Sequence, residues 1–292
     1  MKPVDIAIAI GVAMVWGVGF IASRLALDEL SPVVMTAARF SIAAVPCLFL
    51  RCPDVSWPLL LGASFCLFMI QFLAQAYGIT HGVPVGLLSV IVQSQALFTI
   101  AFAAFAFHEI PTRVQIAGIG VATLGLLMIC GTVGYDFSLA AFAVVMTCPI
   151  TFAIGNLLVR KAGKAPMFEL FSWLSLVSAI PLLALVPLTD GVGPAVASLR
   201  SMSLTGWLSI ITIGAITTSL AYWLWGRLLR DYTAAQVVPF ALLVPFIGSA
   251  SSAIVFGERF GPLRFAGMIT VVLGIAIMLL FGRARTLPQA PT

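Results

Sequence analysis

The chain has 292 residues, of which 61% are hydrophobic and only 9% charged, and its mean hydropathy is +1.15. Soluble domains carry about a quarter charged residues, so this composition excludes one and indicates an integral membrane protein. The formal charge of +5 comes from Lys and Arg scattered at the ends of apolar runs, which excludes the basic patch or arm of a nucleic-acid binder.

In chain order, apolar runs between charged or Pro/Gly-rich breaks predict ten membrane helices. They lie near residues 5–23, 32–50, 58–80, 84–107, 113–131, 138–159, 167–188, 204–226, 234–256 and 262–281. The first follows a lone Lys2 with no convincing small-residue cleavage site behind it, and is read as retained. The longest loop, around 189–203, is too short to fold alone, so no extramembrane domain is expected.

Basic residues set the expected orientation. With the N-terminus inside, Lys2, Arg51, Arg113, Arg160, Lys161, Lys164, Arg227, Arg230, Arg283 and Arg285 are cytoplasmic, against Arg24, Arg200, Arg259 and Arg264 outside. Both termini are therefore expected in the cytoplasm, in the cell (inner or plasma) membrane.

The run 101–130 repeats at 250–279 without a gap, with identity at Ala101/Ala250, Ala104/Ala253, Phe107/Phe256, Glu109/Glu258, Ala117/Ala266, Gly118/Gly267, Leu124/Leu273 and Gly125/Gly274. Each copy is an apolar helix, a short loop with Glu, and a second helix with glycines seven apart. That spacing returns to one helix face and lets another backbone approach. Trp16, Gly19 and Arg24 match Phe152, Gly155 and Arg160 more loosely. The chain thus divides into 1–133 and 134–292. Five helices per half is an odd number, so the second half enters the membrane from the opposite side, as an inverted repeat.

Polar residues inside membrane helices are costly without a partner or a wet cavity. Gln71 and Gln75 lie one turn apart on the third helix, Ser89 and Gln93 on the fourth, Phe152 and Asn156 on the sixth, and Thr218 and Tyr222 on the eighth. Trp16 and Phe20 form the equivalent pair on the first. Each pair shares a face, and together they predict a cavity of amides and hydroxyls among rings. Such a lining suits a zwitterion with an apolar side chain. Interhelical glue is the competing reading for any one amide. Trp223 and Trp225, near a span end, read as an interfacial belt.

Arg39 lies within the second helix, where its charge must reach an interface, a carbonyl cluster or a substrate carboxylate. Glu109 and Glu258 each stand just ahead of a helix with Pro111 or Pro262 close behind, and read as loop-fixing caps. Gly118, Gly125, Gly267 and Gly274 read as packing residues. Pro149, Pro239 and Pro245 interrupt helix hydrogen bonds beside the cavity and are candidate gating kinks.

Two five-helix halves, Trp16, Arg39, Glu109 with Gly118 and Gly125, and Glu258 with Gly267 and Gly274 form a recognisable set. The chain resembles the EamA-type members of the drug/metabolite transporter superfamily over its full length, and within them bacterial exporters of aromatic and other neutral amino acids. The resemblance implies a cavity lined chiefly by helices one, three, four, six, eight and nine, with five and ten packed outside. One departure stands out: Trp173 occupies the position where Arg39 would repeat.

The expected function is export of small neutral or aromatic amino acids by alternating access, with lipid bilayer and substrate as partners and no cofactor. A membrane enzyme is disfavoured, since His81 and His108 stand near no nucleophile or acid motif and the cysteines show no metal spacing. A nucleotide-handling carrier would want Lys and Arg in the cavity. All ten Asp and Glu residues lie in loops or near helix ends, which predicts an uncoupled facilitator, with a proton-coupled drug or metabolite efflux carrier as the alternative.

Overall fold

A computed structural model describes residues 1–281 apart from 109, 133, 135, 136, 164 and 233, and every regular element among them is helical. Glu109, Lys164, Arg283 and Arg285 lie outside the described residues. Among the described residues, nine helices are long and apolar enough to cross a membrane: α1 Pro3–Leu27, α3 Trp57–Thr80, α4 Val85–Ala106, α5 Arg113–Cys130, α6 Leu139–Lys161, α7 Met167–Thr189, α8 Leu204–Asp231, α9 Val238–Phe256 and α10 Pro262–Phe281. The protein is an all-α integral membrane protein.

The second expected span is shorter than its apolar run. α2 covers Pro32–Ala43 and gives way to a tight turn at Val45–Leu48. Pro46 has no N–H and disfavours α geometry at Val45, so the helix stops there. The run 189–203, expected as loop, holds a short helix at Val192–Ser201 with Pro194 in its first turn.

Helix starts follow from side-chain caps. Ser31 accepts from Val34 N ahead of α2, Ser138 from Ala141 N ahead of α6, and Ser203 from Gly206 N ahead of α8. Thr112 and Gln115 form a reciprocal capping box on α5. Each cap satisfies an N–H that the first turn leaves unpaired and contributes about 1 kcal/mol.

The long helices α3 and α8 each contain a wider π-helical stretch, Phe65–Ile70 and Thr212–Leu220. In α8 the hydroxyls of Thr218 and Ser219 reach back five residues to the Ile213 and Gly214 carbonyls. Such hydroxyl bonds satisfy carbonyls that the wider turn pairs poorly. α4 breaks at Ser94, and Leu243–Phe256 of α9 follows a tight turn at Val238–Leu242. Pro239 sits in that turn and Pro245 in the first helical turn after it, while Pro149 stands inside the uninterrupted α6.

α5 and α10 pack chiefly on each other, α2 on α7, α3 on α6, and α1 between α8 and α9. Exchanging each of α1–α5 with the helix five places later turns the α1–α9 contact into α6–α4, α3–α6 into α8–α1, and α2–α8 into α7–α3, all of which are present. Other contacts have no comparable counterpart among the described residues, including those of α1 with α3 and α4 and one within the α4–α9 pair itself. Val85–Gln93 of α4 packs along Leu243–Phe256 of α9, whereas the rest of α4, Gln95–Phe107, turns to α6. Large apolar side chains such as Phe105, Leu188 and Ile254 stay exposed on the perimeter, as expected where lipid is the solvent.

Candidate functional site

The interior is organised by an arginine and seven rings. Trp16 of α1 lies 5.5 Å from Tyr222 and 5.0 Å from Trp225 of α8, ring centre to ring centre. Its Nε1 donates to the Thr217 carbonyl at 3.1 Å. Gly19 permits that approach, because a Cβ there would come within 2.8 Å of Thr217 Cγ2. Tyr222 stacks on Phe171 at 4.4 Å and neighbours Phe68 at 6.1 Å, and Phe68 stacks on Phe40 at 4.8 Å.

Arg39 closes this chain of rings. Its Nε donates to Thr218 Oγ1 at 3.1 Å and its Nη2 to Thr217 Oγ1 at 3.3 Å. Both hydroxyls donate their own protons to the Ile213 carbonyl, so their lone pairs face the guanidinium. The guanidinium carbon sits 3.9 Å above the Phe72 ring centre. Arg39 is 6% exposed, and among the described residues no carboxylate pairs with it. Two hydrogen bonds from a charged group contribute about 1.5–3 kcal/mol each and a desolvated cation–π contact about 2. Together these are of the size of the several kcal/mol that burying the ion costs. The charge is tolerated but not neutralised.

Of the residues expected to form one cavity, Trp16, Thr218 and Tyr222 thus meet at Arg39. Trp225, expected at an interface, belongs to this interior cluster, while Trp223 is exposed and touches Phe168 edge-on.

Ser89 and Gln93 instead tie α4 to α9. Ser89 Oγ donates to the Gly86 carbonyl at 2.7 Å and reaches Pro245 O at 3.5 Å, and Gln93 Nε2 donates to Ala241 O at 2.8 Å. At the same end, Glu258 accepts from Val85 N at 2.6 Å and Gly86 N at 2.9 Å. It therefore caps α4, not the α10 helix that follows it in sequence. A cavity of about 490 Å³ opens beside this cap, lined by Arg24, Ile79, Pro84, Phe256 and Arg259 among others.

The remaining expected residues lie apart from the ring cluster or behind it. Gln71 is buried with no partner for its Oε1, and its backbone carbonyl accepts from Cys148 Sγ of α6. Gln75 is buried and Asn156 half-buried, while Phe152 packs against the Phe40–Phe68 group. Phe20 joins the apolar core with Leu87, Leu88 and Val244. Gln95 Oε1 and Thr99 Oγ1, one turn apart on α4, are also buried without partners; the same spacing rule that found Ser89 and Gln93 points to them. Trp173, the counterpart of Arg39, buries an unpaired Nε1.

Gly118, Gly125, Gly267 and Gly274 line the α5–α10 contact. A Cβ on Gly125 would stand 2.7 Å from Gly267 O, and one on Gly267 3.0 Å from Gly125 O. They let the two backbones approach closely.

Two polar ties join the halves at the bundle ends. Asp5 of α1 pairs with Arg227 of α8 at 3.4 Å and accepts from the Tyr232 phenol at 2.6 Å. That hydrogen bond raises the Tyr232 pKa above its ordinary value. Glu29 accepts from Ser203 Oγ and from Ser203 N at 2.6 Å, ahead of α8, and these bonds, the side-chain one foremost, lower its pKa. No group of three or more His, Cys, Asp or Glu that could hold a metal exists among the described residues.

An apolar helical bundle whose interior holds rings, amides and a buried cation has the construction of a multi-pass membrane transporter. The chain belongs to the EamA-like transporter family, whose model matches residues 5–131 and again 139–280. It is 31% identical over 292 residues to a probable amino-acid metabolite efflux pump of Salmonella typhimurium, covering 98% of both chains. A protein of the same description from Escherichia coli is 31% identical, with 95% of both chains covered. A probable terminal-alkyne amino-acid exporter of Streptantibioticus cattleyicolor is 27% identical over 93% of this chain and 91% of its own. A solved crystal structure superposes with a TM-score of 0.68 at 15% identity, covering 99% of this chain and 100% of that one, and has the same fold.

Proposed function

We propose that this transporter exports small neutral amino acids with apolar or aromatic side chains. The observation that carries the reading is the ring cluster from Trp16 to Phe72 around Arg39; Gln71, beside Phe72 in sequence, and Gln95 and Thr99 elsewhere in the interior keep buried oxygens unpaired. An unpaired buried polar atom costs about 1–3 kcal/mol, a cost that a polar ligand or water can offset. Rings supply a surface for the apolar body. The relatives named as amino-acid exporters support the substrate class.

The chain works as two inverted repeats, 1–133 and 134–292, set in the inner or plasma membrane with both termini cytoplasmic. The two separate family matches and the exchangeable contact pattern support that division. The unequal α4–α9 contact supports alternating access: Val85–Gln93 packs against Leu243–Phe256, and among the described residues Gln95–Phe107 makes no comparable contact with Val238–Leu242. No catalytic step is assigned. The test is exchange of labelled Phe, Leu, Met and Thr across proteoliposomes containing only this protein. Exchange of neutral amino acids is expected; movement of nucleotide sugars or charged sugars in their place would overturn the substrate class.

A further inference from the structure

We propose that Arg39 reads the carboxylate of the transported amino acid, an assignment that rests on the amino-acid reading above. The guanidinium carries five N–H donors. Thr218 and Thr217 take one from Nε and one from Nη2, and the other three, both on Nη1 included, meet no acceptor among the described residues. A planar fork with one side pinned and the other unpaired presents the geometry that a carboxylate fills.

A purely structural tie between α2 and α8 does not need a charge. The matching place in the other half is held by Trp173, which is neutral, and α7 still packs on α3 there as α2 does on α8. A full cation 94% buried without a counter-ion is an expensive way to bond two hydroxyls. An arriving carboxylate neutralises that charge, so binding gains from a cation that the empty protein holds by hydroxyls and a ring but does not pair.

The surroundings match the rest of an amino acid. The guanidinium carbon lies 3.9 Å from the Phe72 ring centre and 5.8 Å from that of Phe40. Tyr222 stands one turn beyond Thr218 on α8, so the rings of Tyr222, Trp16 and Phe171 flank a molecule anchored at Arg39. Their π faces accept both an aromatic side chain and an α-ammonium. Thr217 and Thr218 lie in the π-helical stretch of α8, so a change in that turn moves the two hydroxyls that aim the fork.

The experiment compares phenylalanine with its amide and methyl ester, in proteoliposomes of the wild type, Arg39→Lys and Arg39→Gln. The wild type is expected to move the acid at least about tenfold faster than either neutralised analogue, since a lost charge-assisted pair is worth a factor of this order. R39Q should bring that ratio close to one, and R39K should fall between, keeping the charge without the fork. The wild-type comparison stands even if a variant does not fold. Equal movement of acid and amide by the wild type, or an unchanged ratio in a folded R39Q, overturns the assignment while leaving amino-acid export intact. A wild type that moves none of the three sinks the amino-acid reading, and the Arg39 assignment falls with it.

Discussion

Glu258 clamps one end of the bundle onto Gly86: its Oε2 accepts from Gly86 N at 2.9 Å while Oε1 takes Val85 N at 2.6 Å. The loop after α9 thereby satisfies the first turn of α4, at the end where these two helices are packed together. Losing such a cap costs about 1 kcal/mol. Glu258→Ala should lower the thermal midpoint of the purified protein by a few degrees, and Glu258→Gln, which keeps one acceptor oxygen, by less. An unchanged midpoint in E258A would mean that the clamp is not made in the membrane protein.

The α5–α10 seam offers a sharper contrast. A Cβ on Gly118 would come within 2.8 Å of Gly274 O and 2.5 Å of Met278 Cγ, whereas nothing lies within 4 Å of a Cβ on Gly120 of the same helix. Overpacking typically costs about 1–3 kcal/mol. Gly118→Ala and Gly125→Ala should therefore lose stability in a fluorescence-detected melt, and Gly120→Ala should not. Equal effects at all three would remove backbone approach as the reason for these glycines.

Hydropathy found the helices because apolar length is what a bilayer demands, and the seven-residue glycine spacing found the α5–α10 seam. The meeting of Trp16, Thr218 and Tyr222 was legible from polar and aromatic residues one turn apart. The partners of Arg39 were not. Phe40, Phe68, Phe72 and Phe171 are apolar, and in a membrane helix a ring facing the interior has the same sequence signature as a ring facing lipid. The π-helical stretches change which residues share a face without changing hydropathy. Thr217 and Thr218, adjacent in sequence, both lie in such a stretch and both accept from the guanidinium. Glu258 was read as a cap, but on its own helix; which N-terminus a carboxylate reaches is a tertiary fact.

The proposed alternating access requires the packed end of α4 and α9 to open. A Cβ at Gly86 would lie 2.9 Å from Ser249 Cα and close against Ser252 Oγ. With the native cysteines replaced, Gly86→Cys paired with Ser252→Cys should form a disulfide that stops exchange, and reduction should restore it. Undiminished exchange by the fully cross-linked protein would exclude separation of these helices from the transport cycle.

Glu29, between α1 and α2, should act as a pH-dependent tie. Its pKa is lowered from the ordinary carboxylate value by the hydrogen bonds from Ser203, the side-chain bond first. A depressed folded-state pKa contributes stability that is present above the unfolded value and lost as pH falls through the folded one. The difference in thermal midpoint between wild type and Glu29→Gln should therefore be constant at neutral pH and shrink as pH drops below about 4.5. A difference that persists unchanged into strong acid would show that the charge is not what holds Ser203.

Transport should run without a proton or sodium gradient. Among the described residues, Asp28, Glu29, Asp54, Asp190 and Glu258 lie between helices, Asp5 and Glu169 in first turns, and Asp231 at the end of α8. None stands midway along a helix, where a carrier that couples to protons places its carboxylate. Asp5 is the buried one, at 7% exposure, but Arg227 and the Tyr232 phenol occupy its two oxygens and fix it at the bundle end. His81 closes α3 on the exposed surface, stacked on Tyr77. The ring cluster around Arg39 is built of Trp, Tyr, Phe and Thr and brings in no Asp, Glu or His among the described residues. Proteoliposomes with equal labelled phenylalanine inside and out, given a pH step of either sign, should show exchange and no net accumulation. Accumulation driven by the step would overturn the facilitator reading. Asp5→Asn and Glu258→Gln, tested in the same vesicles, would then show which carboxylate carries the proton.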